Sequence, residues 1–354
     1  MLMPHSIRLT VRNTQYRLLS EVRRSLILLC LVSSFLGLAC SRAQPPRPQL
    51  SRVRTLAGAD ANSPRFGDPF GVACASDGTI YVSDGEAGRV WQIAPEGSVK
   101  SVAENLSTPS AIALAPDGTI IVSDTGSHTI KRVVPHTGSV TVIAGVEGRA
   151  GFRDGNGAEA LFNGPIGVAV NRDGTIFVAD TYNDRIRAID KQGEVRTIAG
   201  GDEPGFADAS HGADARFDTP CGITVDVDGT LIVADTGNNR LRRVQLDGAV
   251  TTIAGTDVRS SQDAALQDAS FNEPTALAVD EEGMIYVADA GGSSIRASIL
   301  VYGRALLRLQ AKRIPVCWMA NLTALVSIIL TASLFQTMEL LSSRTQATDS
   351  FALL

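Results

Sequence analysis

Histidine is nearly missing from this chain: of 354 residues four are His, and only His128, His136 and His211 lie outside the first fifty. A catalytic zinc takes about three protein ligands, so a histidine-rich metal site has little to draw on. Cysteine is also sparse. Cys30 and Cys40 sit in an N-terminal apolar segment, Cys317 in a C-terminal one, and only Cys74 and Cys221 in between, with no C-x-x-C or Cys/His metal spacing. Those two occupy different positions of different repeats, which argues against a disulfide. There is no G-x-S-x-G elbow, no P-loop and no dinucleotide fingerprint, so three common routes to hydrolysis or nucleotide chemistry have no foothold. Nothing in the sequence compels an enzyme, and no catalytic or metal residue is assigned.

Charge is unevenly spread. Residues 51–296 hold 20 Lys+Arg against 34 Asp+Glu, a net −14, whereas the remaining residues hold 12 against 3, a net +9. An acidic body between basic ends repels phosphate backbones and disfavours nucleic acid as a partner.

What the chain does have is a repeat. PIGVAVNRDGTIFVADTYNDRIRAIDKQGEVRTIAG, from Pro165 to Gly200, contains four short runs rich in β-branched residues: Gly167–Val170, Thr175–Ala179, Arg185–Ile189 and Val195–Ala199. Asp173-Gly174 and Gln192-Gly193 separate the outer pairs, and Asp-Gly links between alternating apolar runs favour hairpins. The unit is therefore a four-stranded antiparallel meander. Copies open at Pro69, Pro109, Pro165, Pro220 and Pro274, and their second strands read IYVSD, IIVSD, IFVAD, LIVAD and IYVAD. Five such units imply an all-β chain, a β-propeller of four-stranded antiparallel blades with five recognisable blades. A WD-repeat propeller would carry Gly-His and Trp-Asp pairs, which are absent.

The fourth strand recurs as VKSVAE, VTVIAG, VRTIAG and VTTIAG but has no copy after Arg296, while an orphan VRTLAG stands at Val53–Gly58. Val53–Ala57 is thus expected to pair as the outer strand of the last blade, close the ring and protect a sheet edge.

These residues resemble the NHL-repeat family: G-(V/I)-A-V-x-x-D-G-x-(I/L)-(F/Y)-V-A-D-T-x-N-x-R-(I/L)-R is matched nearly throughout by Gly167–Arg187 and Gly222–Arg242. The resemblance spans about residues 51–297 and points to an exported bacterial type. It implies the propeller fold and a ligand-binding, scaffold or sensor role. Family propellers usually have six blades, and five are counted here. Similar propellers include gluconolactonase-type hydrolases that hold a divalent cation in the central channel, which is the alternative reading.

Outside the repeats the ends change character. Residues 1–24 are basic and Ser25–Ser41 is uncharged and mostly apolar, the layout of an export signal. Cleavage after Ala39 or Ala43, lipidation of Cys40 in a sequence that resembles a lipobox, and an uncleaved anchor all fit. A Pro-rich linker runs to about residue 50. After Ala297, Ser298–Arg313 mixes basic and apolar residues as an amphipathic helix would, and Ile314–Met338 is free of charge and long enough to cross a bilayer. A transmembrane helix, a tail from a shifted reading frame that truncated repeat five or a sixth blade, and a helix packed on the propeller are the alternatives for 298–354. Localisation is expected at the cell envelope, periplasmic or extracellular, with membrane attachment through the N-terminal segment and, as one alternative, through the C-terminal segment too.

In a four-stranded blade the turns between strands two and three and the links from strand four to the next blade emerge on one face. That face gathers Asp124, His128, Asp180, Asn183, Arg185, His211, Asp235, Asn238, Arg240 and Asp289, the candidate contacts for a protein, peptide or glycan ligand, together with the insertions Val146–Gly164, Gly201–Thr219 and Thr256–Glu273. Asp84, Asp124, Asp180, Asp235 and Asp289 end every second strand, where a carboxylate can cap its own loop. Arg89, Arg185, Arg240 and Arg296 are expected to pair with neighbouring aspartates or carbonyls. Phe162, Phe217 and Phe271 precede the opening prolines and are expected to plug the gaps between blades. No cofactor is required; for Ca²⁺ the oxygen-rich pairs Asp180 with Asn183 and Asp235 with Asn238 would be the candidates.

Overall fold

The computed structural model of the chain describes residues 57, 64, 66–265, 267–281, 283–301, 304–305 and 312–313. The chain divides into two units, Met1–Val53 and Arg54–Leu354, and the described residues belong to the second.

The regular structure among the described residues is almost entirely β, with three short 3-10 helices besides. Blade 1 comprises β1 (Pro69–Cys74), β2 (Ile80–Asp84), β3 (Arg89–Ile93) and β4 (Val99–Ala103). Blade 2 comprises β5 (Pro109–Leu114), β6 (Ile120–Asp124), β7 (Thr129–Val134) and β8 (Ser139–Ala144). A two-residue strand β9 (Gly155–Asn156) precedes blade 3, which comprises β10 (Val168–Val170), β11 (Ile176–Asp180), β12 (Arg185–Ile189) and β13 (Glu194–Ala199). Blade 4 comprises β14 (Pro220–Val225), β15 (Leu231–Asp235), β16 (Arg240–Val244) and β17 (Val250–Ala254). Blade 5 comprises β18 (Pro274–Val279), β19 (Met284–Asp289) and β20 (Ser294–Val301), with short partners β21 (Arg304–Ala305) and β22 (Lys312–Arg313). Within each blade the strands are antiparallel and follow chain order, so the five-bladed propeller read from the repeats is the fold.

Each turn is written in its residues. Gly78, Gly118, Gly174, Gly229 and Gly283 all have φ between 78° and 91°, left-handed values that glycine adopts without a Cβ penalty. The aspartates before four of them accept the N–H of the residue two on: Asp77 from Thr79, Asp117 from Thr119, Asp173 from Thr175 and Asp228 from Thr230.

First strands pack on one another in sequence, β1 on β5, β5 on β10, β10 on β14 and β14 on β18. The approach is close: a Cβ on Gly167 would meet the Cys221 carbonyl oxygen at 2.0 Å, and one on Gly71 the Ser110 oxygen at 2.6 Å. Between blades, side chains of facing sheets form separate apolar layers. Phe162 belongs to the layer between blades 2 and 3, Phe217 to that between 3 and 4, and Phe271 to that between 4 and 5. All three are at most 2% exposed, the plugging role expected of them. Neither Cys74 nor Cys221 is in a disulfide.

Of the expected closing strand Val53–Ala57, only Ala57 is among the described residues; it packs on the blade 1 layer of Val72, Ile80, Val82, Trp91 and Ile93. The outer edge of β20, where that strand was expected, pairs instead with β22 through Ser294↔Arg313 and Ile295↔Lys312, and further along with β21. The export segment, Cys40 and Ile314–Met338 lie outside the described residues. No helix among the described residues is long and apolar enough to cross a membrane.

Candidate functional site

The face formed by the strand-two-to-three turns is built from one recurring set of bonds, and each letter of the D-T-x-N-x-R phrase has its own partner. The aspartate comes first. Asp180 and Asp235, both fully buried, accept the backbone N–H of Asn163 and Asp218, which lead into their own blades, at 2.8 and 2.9 Å. Each also takes a guanidinium from the third position of the third strand: Arg187 on Asp180 at 2.7 Å and Arg242 on Asp235 at 2.6 Å. Asp289 takes Arg296 in the same way. In blade 2 the donor is Lys131, 2.7 Å from Asp124, and in blade 1 it is the indole N–H of Trp91, 3.0 Å from Asp84. Burial pushes the Asp180 and Asp289 carboxyls above their ordinary range, and that of Asp235 up to about 6, against the pull of Arg242 and the neighbouring N–H groups.

The threonine reaches the next blade. Thr125, Thr181 and Thr236 donate their hydroxyls to the carbonyls of Pro165, Pro220 and Pro274, the prolines that open the following repeats. The asparagine faces the insertion: Asn183 donates Nδ2 to the Gly151 carbonyl and to Asp180, and Asn238 does the same to Gly205 and Asp235.

The residue before the third strand is left-handed in every blade: Gly88, His128, Asp184, Asn239 and Ser293 have φ between 50° and 61°. That conformation suits Asn, Asp and His among non-glycines. It aims three side chains across to the next blade as a latch. His128 Nδ1 accepts the N–H of Gly164 at 3.0 Å, Asp184 that of Thr219 at 2.7 Å, and Asn239 that of Glu273 at 2.8 Å. This latch was not read from the sequence. Its signal was the H, D or N standing just before the third strand.

The insertions complete the face. Phe152 lies over the Arg185 guanidinium at 3.9 Å and Phe206 over that of Arg240 at 4.0 Å; Arg185 also pairs with Asp202, and Arg240 donates to the Asn238 carbonyl. His211 contacts the Ser210 hydroxyl and is exposed. Arg296 is equivalent to Arg187 and Arg242, whereas the counterparts of Arg185 and Arg240 are Arg89, Thr129 and Ser294.

Of the candidate contacts, then, the four aspartates, the two asparagines and His128 are engaged within the protein. Ca²⁺ does not fit Asp180 with Asn183 or Asp235 with Asn238: a cation needs oxygens turned toward it, and here the carboxylates receive N–H donors while each asparagine presents its amino group. No three His, Cys, Asp or Glu side chains among the described residues stand close enough to share a metal ion. What the face offers outward is aromatic and acidic: Phe152 is 45% exposed, Tyr182 59%, Phe206 47%, and the Asp202 side chain 96%. At the blade 1 end a polar hollow of about 430 Å³ lies between residues 85–89 and 104–108.

Comparison with known proteins agrees with this architecture. The NHL repeat model matches residues 162–189 and 217–243. Protein SUPPRESSOR OF QUENCHING 1, chloroplastic, from Arabidopsis thaliana is 33% identical over 163 residues, covering 40% of this chain and 15% of that protein. Teneurin-3 from Danio rerio is 26% identical over 328 residues, covering 65% of this chain and 12% of that protein. The chain thus spans less than a fifth of either relative's length. An auxiliary nutrient binding protein from Bacteroides ovatus superposes with a TM-score of 0.52 at 18% identity, over 66% of this chain and 59% of that one, a likeness of fold.

Proposed function

Starting from the fact that the chain is an NHL-repeat β-propeller, we propose that it is an exported binding or scaffold module at the cell envelope, without catalytic activity of its own, and that it takes a protein, peptide or glycan on the insertion face. One observation carries this reading: the polar residues of the repeat phrase are spent on internal bonds, and the groups left facing solvent there include the rings of Phe152, Tyr182 and Phe206, beside the Asp202 carboxylate. Exposed aromatics backed by arginines are the residue types that dominate binding energy at protein interfaces. Export is supported by the basic stretch before Ser25 and the apolar run to Ser41. The net −14 of residues 51–296 supports a partner other than nucleic acid.

The test is a side-by-side screen of the full chain and of Phe152→Ala/Tyr182→Ala/Phe206→Ala on peptide and glycan arrays. The triple variant keeps the wild-type thermal midpoint within a few degrees and loses about tenfold or more in affinity for whatever the wild type captures. Equal binding by the two proteins would sink the proposal. Intact-mass measurement of the mature protein tests export separately, since it reports cleavage after Ala39 or Ala43 or a lipid on Cys40; an unprocessed chain in the soluble cell fraction would contradict it.

A further inference from the structure

Blades 3 and 4 do not end at their fourth strand. In blade 3 the insertion lays β9 along β13, Gly155 opposite Val195, and Asp154 accepts the outward N–H of Thr197 at 2.9 Å. In blade 4 Ala209 lies opposite Val250 and exchanges both backbone hydrogen bonds with it, at 2.8 and 3.1 Å, while Asp208 accepts the N–H of Thr252 at 2.9 Å. The covering segment has one form twice: antiparallel, an aspartate and then a small residue. The cover also buries apolar surface, for Val195 and Val250 are only 2% and 1% exposed.

Blade 2 has the same edge without the cover. Residues 104–108, the link into it, are too few to reach β8, and among the described residues β8 pairs only with β7, in a four-stranded sheet. The register makes Val142 the counterpart of Thr197 and Thr252, since it stands opposite Lys131 as they stand opposite Arg187 and Arg242. Val140 is likewise the counterpart of Val195 and Val250. Because the peptide groups of residues 195, 197, 250 and 252 point outward in blades 3 and 4, those of Val140 and Val142 point outward in blade 2. No described residue pairs with them. Val142 is 44% exposed, and Val140 is partly exposed where its counterparts are buried. An unpaired edge of this kind is a template for another strand.

We propose that β8 is a strand-addition site, and that its occupant is an extended segment of a partner protein carrying an aspartate followed by a small residue. The small residue sits opposite Val140, and the aspartate carboxylate accepts the N–H of Val142. The choice of an aspartate-bearing segment follows from the two copies of this geometry already in the chain, in which Asp154 and Asp208 each accept the corresponding N–H; Lys131, opposite Val142, already holds Asp124 and Glu147, so the incoming carboxylate bonds the Val142 N–H alone. Main-chain bonds supply the affinity and the aspartate the register. This site is on the blade rim and is separate from the insertion face.

The chain contains its own probe, the peptide Glu203–His211, EPGFADASH. Added in excess to the full-length protein, it slows hydrogen exchange at Val140 and Val142 and leaves the turns of the insertion face unchanged. The same peptide with an N-methyl group on the residue corresponding to Ala209, or with Asn in place of Asp208, loses about tenfold in affinity, one charge-assisted or main-chain hydrogen bond's worth. The protein variant Val142→Pro, which lacks the outward N–H, loses the peptide as well. Three results would overturn the proposal: no protection at Val140 and Val142 in peptide excess, equal binding of the N-methylated peptide, or protection without peptide that grows with protein concentration, which would mean that a second copy takes the edge.

Discussion

Blades 2 and 3 share one strand plan and differ in what leads into them: residues 104–108 in one case, Val146–Gly164 in the other. The difference propagates to the centre of each blade. Arg187 meets Asp180 and Asp154 and donates to the carbonyls of Arg153 and Leu161, lying between the rings of Phe152 and Phe162 at 4.9 and 4.8 Å. A planar guanidinium can hold a carboxylate and several loop carbonyls at once. Blade 2 has no such loop to hold, and Lys131, a point charge, serves with Asp124 and Glu147 as its partners. Cation type, edge residue (Thr197 against Val142) and link length change together, which identifies the third-strand arginine as the anchor of the insertion as well as the partner of the buried aspartate.

The comparison is broken most sharply by removing the cation from each blade. Arg187→Met leaves Asp180, fully buried, without its countercharge and releases the insertion, and an uncompensated buried charge of this kind costs about 3–5 kcal/mol. Lys131→Met strands Asp124, equally buried, and falls at the low end of that range, about 3 kcal/mol, because no loop carbonyl loses a donor with it. Urea unfolding of the two variants measures both. Equal losses would show that the arginine does no more than pair its aspartate.

Inside one insertion the two phenylalanines separate packing from surface. Phe217 is fully buried between blades 3 and 4, and Phe217→Ala is expected to cost about 3–5 kcal/mol, as for other large core truncations. Phe206, 47% exposed over Arg240, loses a surface cation–π contact on truncation, about 0.5–1 kcal/mol. Thermal unfolding of the pair orders them, and a Phe206→Ala loss as large as that of Phe217→Ala would place both rings in the core.

The strands and turns of this fold were legible because they depend on local chemistry. Asp173-Gly174 and its copies specify a turn by themselves, and alternation specifies the strands between. Phe162, Phe217 and Phe271 were readable as plugs from their fixed distance to the next proline. The candidate site was legible only as a list of positions. Asp180, Asn183 and His128 look like ligands in a string of letters because polarity carries no direction; the backbone supplies it, as where left-handed residues 128, 184 and 239 turn the side chains of His128, Asp184 and Asn239 toward the next blade. The cover on β13 and β17 was not readable at all, since a two-residue strand such as Gly155–Asn156 has no periodicity to detect.

The smallest effect expected is a difference in pH dependence between blade 1 and blade 4. Burial works to raise the Asp84 carboxyl, but the N–H groups of Asp68, Gly67 and Ala87 and the Trp91 indole bring it net below the ordinary 3.8. For Asp235 burial prevails, raising it from 3.8 to about 6. The two signs are opposite. A lowered carboxyl contributes stability above its unfolded value that is lost as pH falls through the folded one, so Asp84 matters to acid stability only below about 4. A raised carboxyl holds its proton more tightly in the folded chain, so Asp235 makes the protein more stable as pH falls from about 6 toward 4. Denaturant unfolding at a series of pH values should therefore show the deficit of Asp235→Asn widening between pH 6 and pH 4, while that of Asp84→Asn stays level there and narrows only below pH 4. Parallel curves for the two variants would mean that Arg242 outweighs burial at Asp235, and that the guanidinium and the indole leave their aspartates in the same ionic state.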